Sequence, residues 1–190
     1  DRACFFLPAE RSWPGDRTAM RCSVDEGPSV IWGAPIAYEF EFDQASGAYQ
    51  CESDRWACAL EPPTDARAWR ASVRLTRPAQ QPDDVAAWRW SLRSAARALT
   101  SIVLPSASAL LVHGCALVVP NDEEQRAHLF IGNSGAGKST MAQRLAGWRC
   151  LGDDTVVIGF DQSGQLWVCG TVFPGKERRL SWGEAHRVGH

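Results

Sequence analysis

Gly132-Asn133-Ser134-Gly135-Ala136-Gly137-Lys138-Ser139-Thr140 fits the pattern G-x-x-x-x-G-K-[ST] at every fixed position. The apolar run Ala127-His128-Leu129-Phe130-Ile131 leads into it, and the helix-forming run Met141-Ala142-Gln143-Arg144-Leu145-Ala146 follows. Strand, glycine loop and helix in that order are the context of a phosphate-binding P-loop. The glycines let backbone N–H groups turn inward around phosphate oxygens. Lys138 supplies a point charge at the outer phosphates, and the Ser139 hydroxyl supplies a ligand for Mg²⁺. The helix that starts here offers its unpaired N–H groups and positive dipole end to the same anion. Composition sharpens the match. Eighteen arginines stand against two lysines, and one of the two lysines falls where a P-loop requires it. The loop is expected to bind a nucleoside triphosphate.

On either side lie residues suited to act on that phosphate. Upstream, Leu110 to Val119 is apolar on both alternating faces apart from His113, which marks a strand covered on both sides. His113 is either a satisfied core residue or, if this strand lies beside the P-loop strand, a group facing the phosphates. Downstream, Asp153 and Asp154 follow Gly152, with Asp153 fourteen residues after Ser139. A P-loop helix of about ten residues spans roughly 15 Å. A return through Gly147 into a short strand at Trp148–Leu151 brings the pair to the edge where α/β sheets bind ligands. Phosphoryl transfer uses one carboxylate to orient or deprotonate the attacking hydroxyl and one to hold Mg²⁺. An exposed Asp-Asp turn between strands is the bland alternative; the spacing from the P-loop favours the functional reading.

Length and composition set the outer bounds. The chain has 190 residues, room for one large domain or two small ones, with 45% apolar and 22% charged residues. A net charge near −2 gives no reason to expect nucleic acid or an anionic membrane as partner. The longest apolar stretch, Ala107 to Pro120, is broken by His113 and Gly114 and falls short of a membrane span. Seven scattered cysteines without C-x-x-C pairs argue against a disulfide scaffold or zinc site and for a reducing cytosol. No signal peptide is read at the start. A chain that begins at Asp1 without methionine is expected to be a fragment of a longer protein. Nine tryptophans, spread evenly, suit packing rather than a ring-binding box.

Residues 1–78 read as a β-rich domain of no assigned role, with short alternating runs at Ala3–Leu7, Ile36–Asp43, Ala48–Glu52, Trp56–Leu60 and Trp69–Thr76. Asp43-Gln44-Ala45-Ser46-Gly47 reads as a hairpin turn, and Pro14-Gly15, Gly27-Pro28 and Pro62-Pro63 as further punctuation. Pro78 to Pro82 reads as a linker and Asp83 as the N-cap of a helix carrying Val85, Trp88, Leu92, Ala96, Leu99 and Val103 on one face, with Pro105 ending it. Arg89, Arg93 and Arg97 form a row on another face, either solvated or a dock for an acidic segment. Strands are expected at Thr155–Phe160 and Gln165–Cys169, joined by the turn Asp161–Gly164.

Three segments in order, Leu111–Val119 with its His-Gly, Leu129–Thr140, and Arg149–Asp154 with its Asp-Asp, resemble the catalytic domain of the HPr kinase/phosphorylase family, distantly related to phosphoenolpyruvate carboxykinase. Gly170 to Glu177 is similar to a later loop of that family. The resemblance covers roughly residues 83–183. It implies an α/β fold, a P-loop-containing catalytic domain over 79–190 preceded by the small β-rich domain. It further implies that Gly132 to Thr140 hold ATP, that Ser139 ligates Mg²⁺ with Asp154 assisting, that Asp153 is the base toward an acceptor serine, and that His113 lies near the phosphates beside Lys138. Thr140 stands where true HPr kinases usually carry Glu, and the family's C-terminal helices and phosphorylase-linked motif have no counterpart before His190. Phosphorolysis, recognition of HPr and hexamer assembly are therefore not carried over. Lys176, Arg178 and Arg179 are either a clamp for phosphate or acceptor or a solvated basic loop.

The function expected is a cytoplasmic serine kinase: transfer of the γ-phosphate of Mg·ATP to a serine of a protein or peptide, with no nucleic acid or membrane partner and a homo-oligomer possible in principle. Two alternatives are an ABC-type ATPase fragment, which lacks here a Leu-Ser-Gly-Gly-Gln segment and a role for Asp153, and a non-catalytic ATP-binding partner protein.

Overall fold

The computed structural model describes residues 3–6, 19–30, 39–53, 55–64, 68–78, 85–133, 135–145, 147–173, 175, 181 and 183–189. The chain forms two compact units. The expected linker at 79–82, Asp83, the Pro14-Gly15 turn, and Trp13, Trp32 and Trp182 lie outside the described residues.

The first unit is a sheet in the order β1-β2-β6-β5-β4-β3. Its strands are β1 (Ala3–Phe6), β2 (Ala19–Val30), β3 (Glu39–Asp43), β4 (Ala48–Glu52), β5 (Trp56–Glu61) and β6 (Ala68–Pro78). β3 to β6 form an antiparallel meander, and β2 joins β6 in parallel. The β3–β4 turn is built by Asp43, whose carboxylate accepts from the Ala45 amide and the Ser46 hydroxyl. The helix α1 (Val85–Val103) belongs to this unit and packs on β5 and β6. Ala95, Ala98, Leu99 and Val103 meet Trp56, Leu60, Val73 and Leu75 in one core. Val85, placed on the apolar face by its spacing, is exposed instead. Leu99 has no exposed surface. Leu99→Ala is expected to lower stability by about 2–5 kcal/mol through lost burial and the cavity left behind, read as a lower urea midpoint.

The second unit is a single curled sheet, in effect half a barrel. Its strands are β7 (Ala109–Val118), β8 (Ala127–Ile131), β9 (Arg149–Gly152), β10 (Thr155–Phe160), β11 (Leu166–Gly170) and β12 (Ala185–Arg187), in the order β12-β11-β10-β7-β8 with β9 also on β7. A short helix, α2 (Lys138–Arg144), sits between β8 and β9, and a 3-10 turn at Leu104–Ala107 precedes β7. Even-numbered positions of β7 and their neighbours fill one core, with Ala116, Val118, Leu151, Val156 and Val168. Odd-numbered positions face a second core, where Cys115, Leu117 and Cys150 meet Ala142 of α2. The curl is fastened where Val188 bridges to Ala127 and Arg149 reaches Glu184 at 3.1 Å. Asp161 locks the β10–β11 turn by accepting from the Ser163 hydroxyl, the Ser163 and Gln165 amides and Trp167 Nε1, and the Ser163 hydroxyl and Trp167 bonds hold its carboxyl down at about 2.

This architecture corrects the expected fold class. The protein is mostly β, with two α-helices among the described residues, and it is not a P-loop α/β domain. Every strand ladder in the second unit is antiparallel. The connections explain why. A parallel neighbour requires a crossover of a dozen or more residues. Here β7 turns into β8 through a polar segment without a helix, β9 passes to β10 through two residues, and β10 to β11 through a tight turn. The one helical crossover, through α2, returns the chain to β7 rather than beside β8. α2 is also shorter than expected, at seven residues. Between Leu110 and Val118, β7 is well buried only from Gly114 onward, so the strand expected to be covered on both sides is covered along about half its length. No helix among the described residues is long and apolar enough to cross a membrane.

Candidate functional site

β7 organises the site. On one edge it pairs with β8, register Gly114 to Ile131 through Val118 to Ala127. On its other edge it pairs first with β10, His113 opposite Thr155, and then with β9, Ala116 opposite Gly152. β9 and β10 thus continue one another along a single edge. Asp153 and Asp154 are the break between them, set beside Gly114, whose N–H donates to Asp154 O at 3.1 Å. The antiparallel hairpin puts the glycine loop at the end of β8, next to Gly114 and His113. A parallel sheet is therefore not needed to bring loop and carboxylates to the same strand.

The loop has the local form the motif predicts. Gly137 has φ 89°, ψ 8°, a left-handed conformation that carries the chain directly into α2 and that a side chain would strain. Gly135 is also left-handed, at φ 86°. Lys138 is 7% exposed and folds back over the loop, its Nζ donating to Gly132 O at 2.6 Å and to Asn133 O at 2.8 Å. The Ala136 N–H donates to Asn133 O. Ser139, half-buried, and Thr140, exposed, occupy the first turn of α2. Ser134 lies outside the described residues, as do Lys176, Arg178 and Arg179.

The carboxylates differ sharply in exposure. Asp153 is 2% exposed, and its Oδ1 accepts the Gly175 N–H at 2.8 Å. The Asp154 side chain is 26% exposed, and its Oδ2 accepts from Thr155 Oγ1 at 3.1 Å. His113, half-exposed, donates from Nδ1 to Asp154 O at 2.8 Å and stands 3.5 Å from Asp154 Oδ1. Because a carbonyl only accepts, the His113 proton sits on Nδ1 and Nε2 is the acceptor in the neutral ring. The structure thus joins His113 to Asp154, Asp153 to the 171–175 segment, and Lys138 to its own loop.

No protein-family model, curated protein or solved structure matches the chain.

Two residues matter here that motif reading did not select as site residues. Thr171 Oγ1 donates to Thr155 O at 2.6 Å and accepts from the Phe173 N–H at 3.2 Å, lashing the segment after β11 to the start of β10, next to the Asp pair. Gly175 closes it. A Cβ at Gly175 would lie 2.7 Å from Asp153 Oδ2 and 2.8 Å from the Asp154 Cβ, so only glycine permits the approach. The Pro-Gly dipeptide announces a turn but not its partner. Gly175→Ala is expected to push the segment off Asp153, lowering stability by about 1–3 kcal/mol in a urea titration.

Among the described residues no three His, Cys, Asp or Glu side chains converge on a metal-sized site. A hydroxyl and one or two carboxylates are nevertheless the donor set Mg²⁺ accepts from proteins when nucleotide phosphates supply the rest. Ser139 and Asp154 have the right chemistry for that part.

Proposed function

We propose that the chain transfers the γ-phosphoryl group of Mg·ATP to a serine hydroxyl of a protein or peptide, as the resemblance of its motifs to the HPr kinase/phosphorylase family implies. The observation that carries the reading is that one strand, β7, has the lysine-bearing glycine loop at the end of its β8 neighbour and the Asp153–Asp154 pair at the β9–β10 break on its other edge. A phosphate loop alone suits binding; a carboxylate beside it suits activation of a hydroxyl. In this reading the loop N–H groups from Gly132 to Thr140 hold the phosphates, and Lys138 exchanges its two carbonyl partners for phosphate oxygens. Ser139 and Asp154 hold Mg²⁺, which neutralises charge on the phosphates. Asp153 takes the proton of the attacking hydroxyl as the new O–P bond forms and the bond to ADP breaks. His113 positions Asp154 through its carbonyl.

The cover of Gly175 over Asp153 favours one other reading, a protein that binds ATP and transfers nothing. Incubation of the chain with γ-labelled ATP and a cell lysate separates the two. Label on a serine, lost with Lys138→Ala, supports the kinase; tight ATP binding with no labelled product supports the binding protein.

A further inference from the structure

Seven cysteines scattered along a chain suggest nothing by their spacing, yet two pairs meet in the fold: Cys51 opposite Cys58 on β4 and β5, and Cys115 with Cys150 in the core under α2. Cys115 lies on β7 and Cys150 on β9, where Cys150 stands opposite Leu117. Side chains two apart on a strand share a face, so Cys115, Leu117 and Cys150 point into the same core. Ala142 packs there with them, and Leu145, just past α2, packs against that core. Neither is in a disulfide. Cys115 is fully buried and Cys150 is 7% exposed.

Their chemistry differs from that of the other buried thiols. Burial pushes Cys51 up to about 11 and Cys169 to about 12, which keeps them protonated. A hydrogen bond from Cys150 draws the Cys115 thiol below its ordinary range instead, outweighing burial and the Asp153 carboxylate, with the Lys138 ammonium adding to the pull. A thiol with more thiolate character and a second thiol in contact are the two elements of a redox pair.

We propose that Cys115 and Cys150 form a reversible disulfide that controls how α2, and with it Lys138, is seated. The Cys115 thiolate attacks a hydroperoxide, breaking its O–O bond and giving a sulfenic acid and water (or an alcohol). The Cys150 thiolate then attacks that sulfur, the S–S bond forms, and a second water leaves. Two thiols are oxidised by two electrons and the peroxide is reduced by the same two; a dithiol reductant reverses the change. A disulfide holds its sulfurs about 2 Å apart, well inside a thiol hydrogen bond. Closing it draws β7 and β9 together beneath Ala142 and Leu145, and a close-packed core passes that shift to the helix. Only the effect on ATP rests on the kinase reading; the bond and the helix response do not.

The test oxidises the whole chain with hydrogen peroxide and returns it with dithiothreitol. Peptide mapping without reductant locates the bond, hydrogen exchange follows α2, and calorimetry follows Mg·ATP. The expected result is a Cys115–Cys150 link, faster exchange over Ser139–Arg144 and an ATP Kd raised about tenfold, all reversed by reductant and absent in Cys150→Ala. Cys150→Ser, closer in volume, serves if the alanine variant fails to fold. Absence of the link when peroxide has already oxidised other cysteines overturns the proposal, as does a link that leaves α2 exchange unchanged. A reduced chain that binds no ATP would count against the nucleotide reading alone, since the link and exchange measurements stand without it.

Discussion

Lys138→Ala is expected to raise the Kd for Mg·ATP by about 100-fold, or about 2.7 kcal/mol, in a calorimetric titration. The magnitude follows from hydrogen bonds to charged groups, each of about 1.5–3 kcal/mol. Lys138 is buried and satisfies Gly132 O and Asn133 O itself. Its removal therefore also takes a donor from both loop carbonyls, of which Asn133 O keeps the Ala136 N–H, and some loss of stability accompanies the loss of affinity. Lys138→Met, which keeps most of the volume, separates the two effects: its melting temperature should stay nearer the parent's while its ATP affinity falls equally. Unchanged ATP affinity in both variants would remove the loop from nucleotide binding.

Asp153→Asn is expected to leave ATP affinity within twofold of the parent and to lower phosphoryl transfer by about 10²–10⁴-fold, the usual contribution of a positioned base. The substitution is well suited to the site because the amide oxygen of asparagine still accepts the Gly175 N–H that now bonds Asp153 Oδ1. The segment after β11 stays in place, and only the capacity to take a proton is lost. A variant that phosphorylates its acceptor at the parental rate would show that Asp153 is not the base, and would direct attention to the more exposed Asp154.

The parts of this structure legible in the sequence are those written in short-range chemistry. The left-handed Gly137, the turn at Asp43–Gly47 and the strands at 155–160 and 166–170 each follow from residues within a few positions of one another. The sheet class did not, because strand direction depends on which partner a returning strand chooses. β9 has an apolar pattern that fits either neighbour, and it pairs with β7 where the bulge at Ala116–Leu117 lets Leu151 turn into the opposite core. The same limit applies to the site. The Asp pair and His113 were visible as residue types, but their joining through Asp154 O is a backbone contact across forty-one positions. Thr171, Gly175 and the Cys115–Cys150 contact were invisible for the same reason: each is defined by its partner rather than by its neighbours in sequence.

The sharing of β7 by three strands also has a meaning in time. Contacts near in sequence close first, because the entropy of closing a loop grows with its length. The β7–β8 hairpin is the nearest of the three, so the end of β8, where the glycine loop begins, is anchored early in folding. The β9–β10 edge reaches β7 only after the chain has passed through α2 and returned, and Gly175 later still. The glycine loop is thus expected to be anchored before Asp153 and Asp154 reach it, and a chain opening from its far end to shed them first.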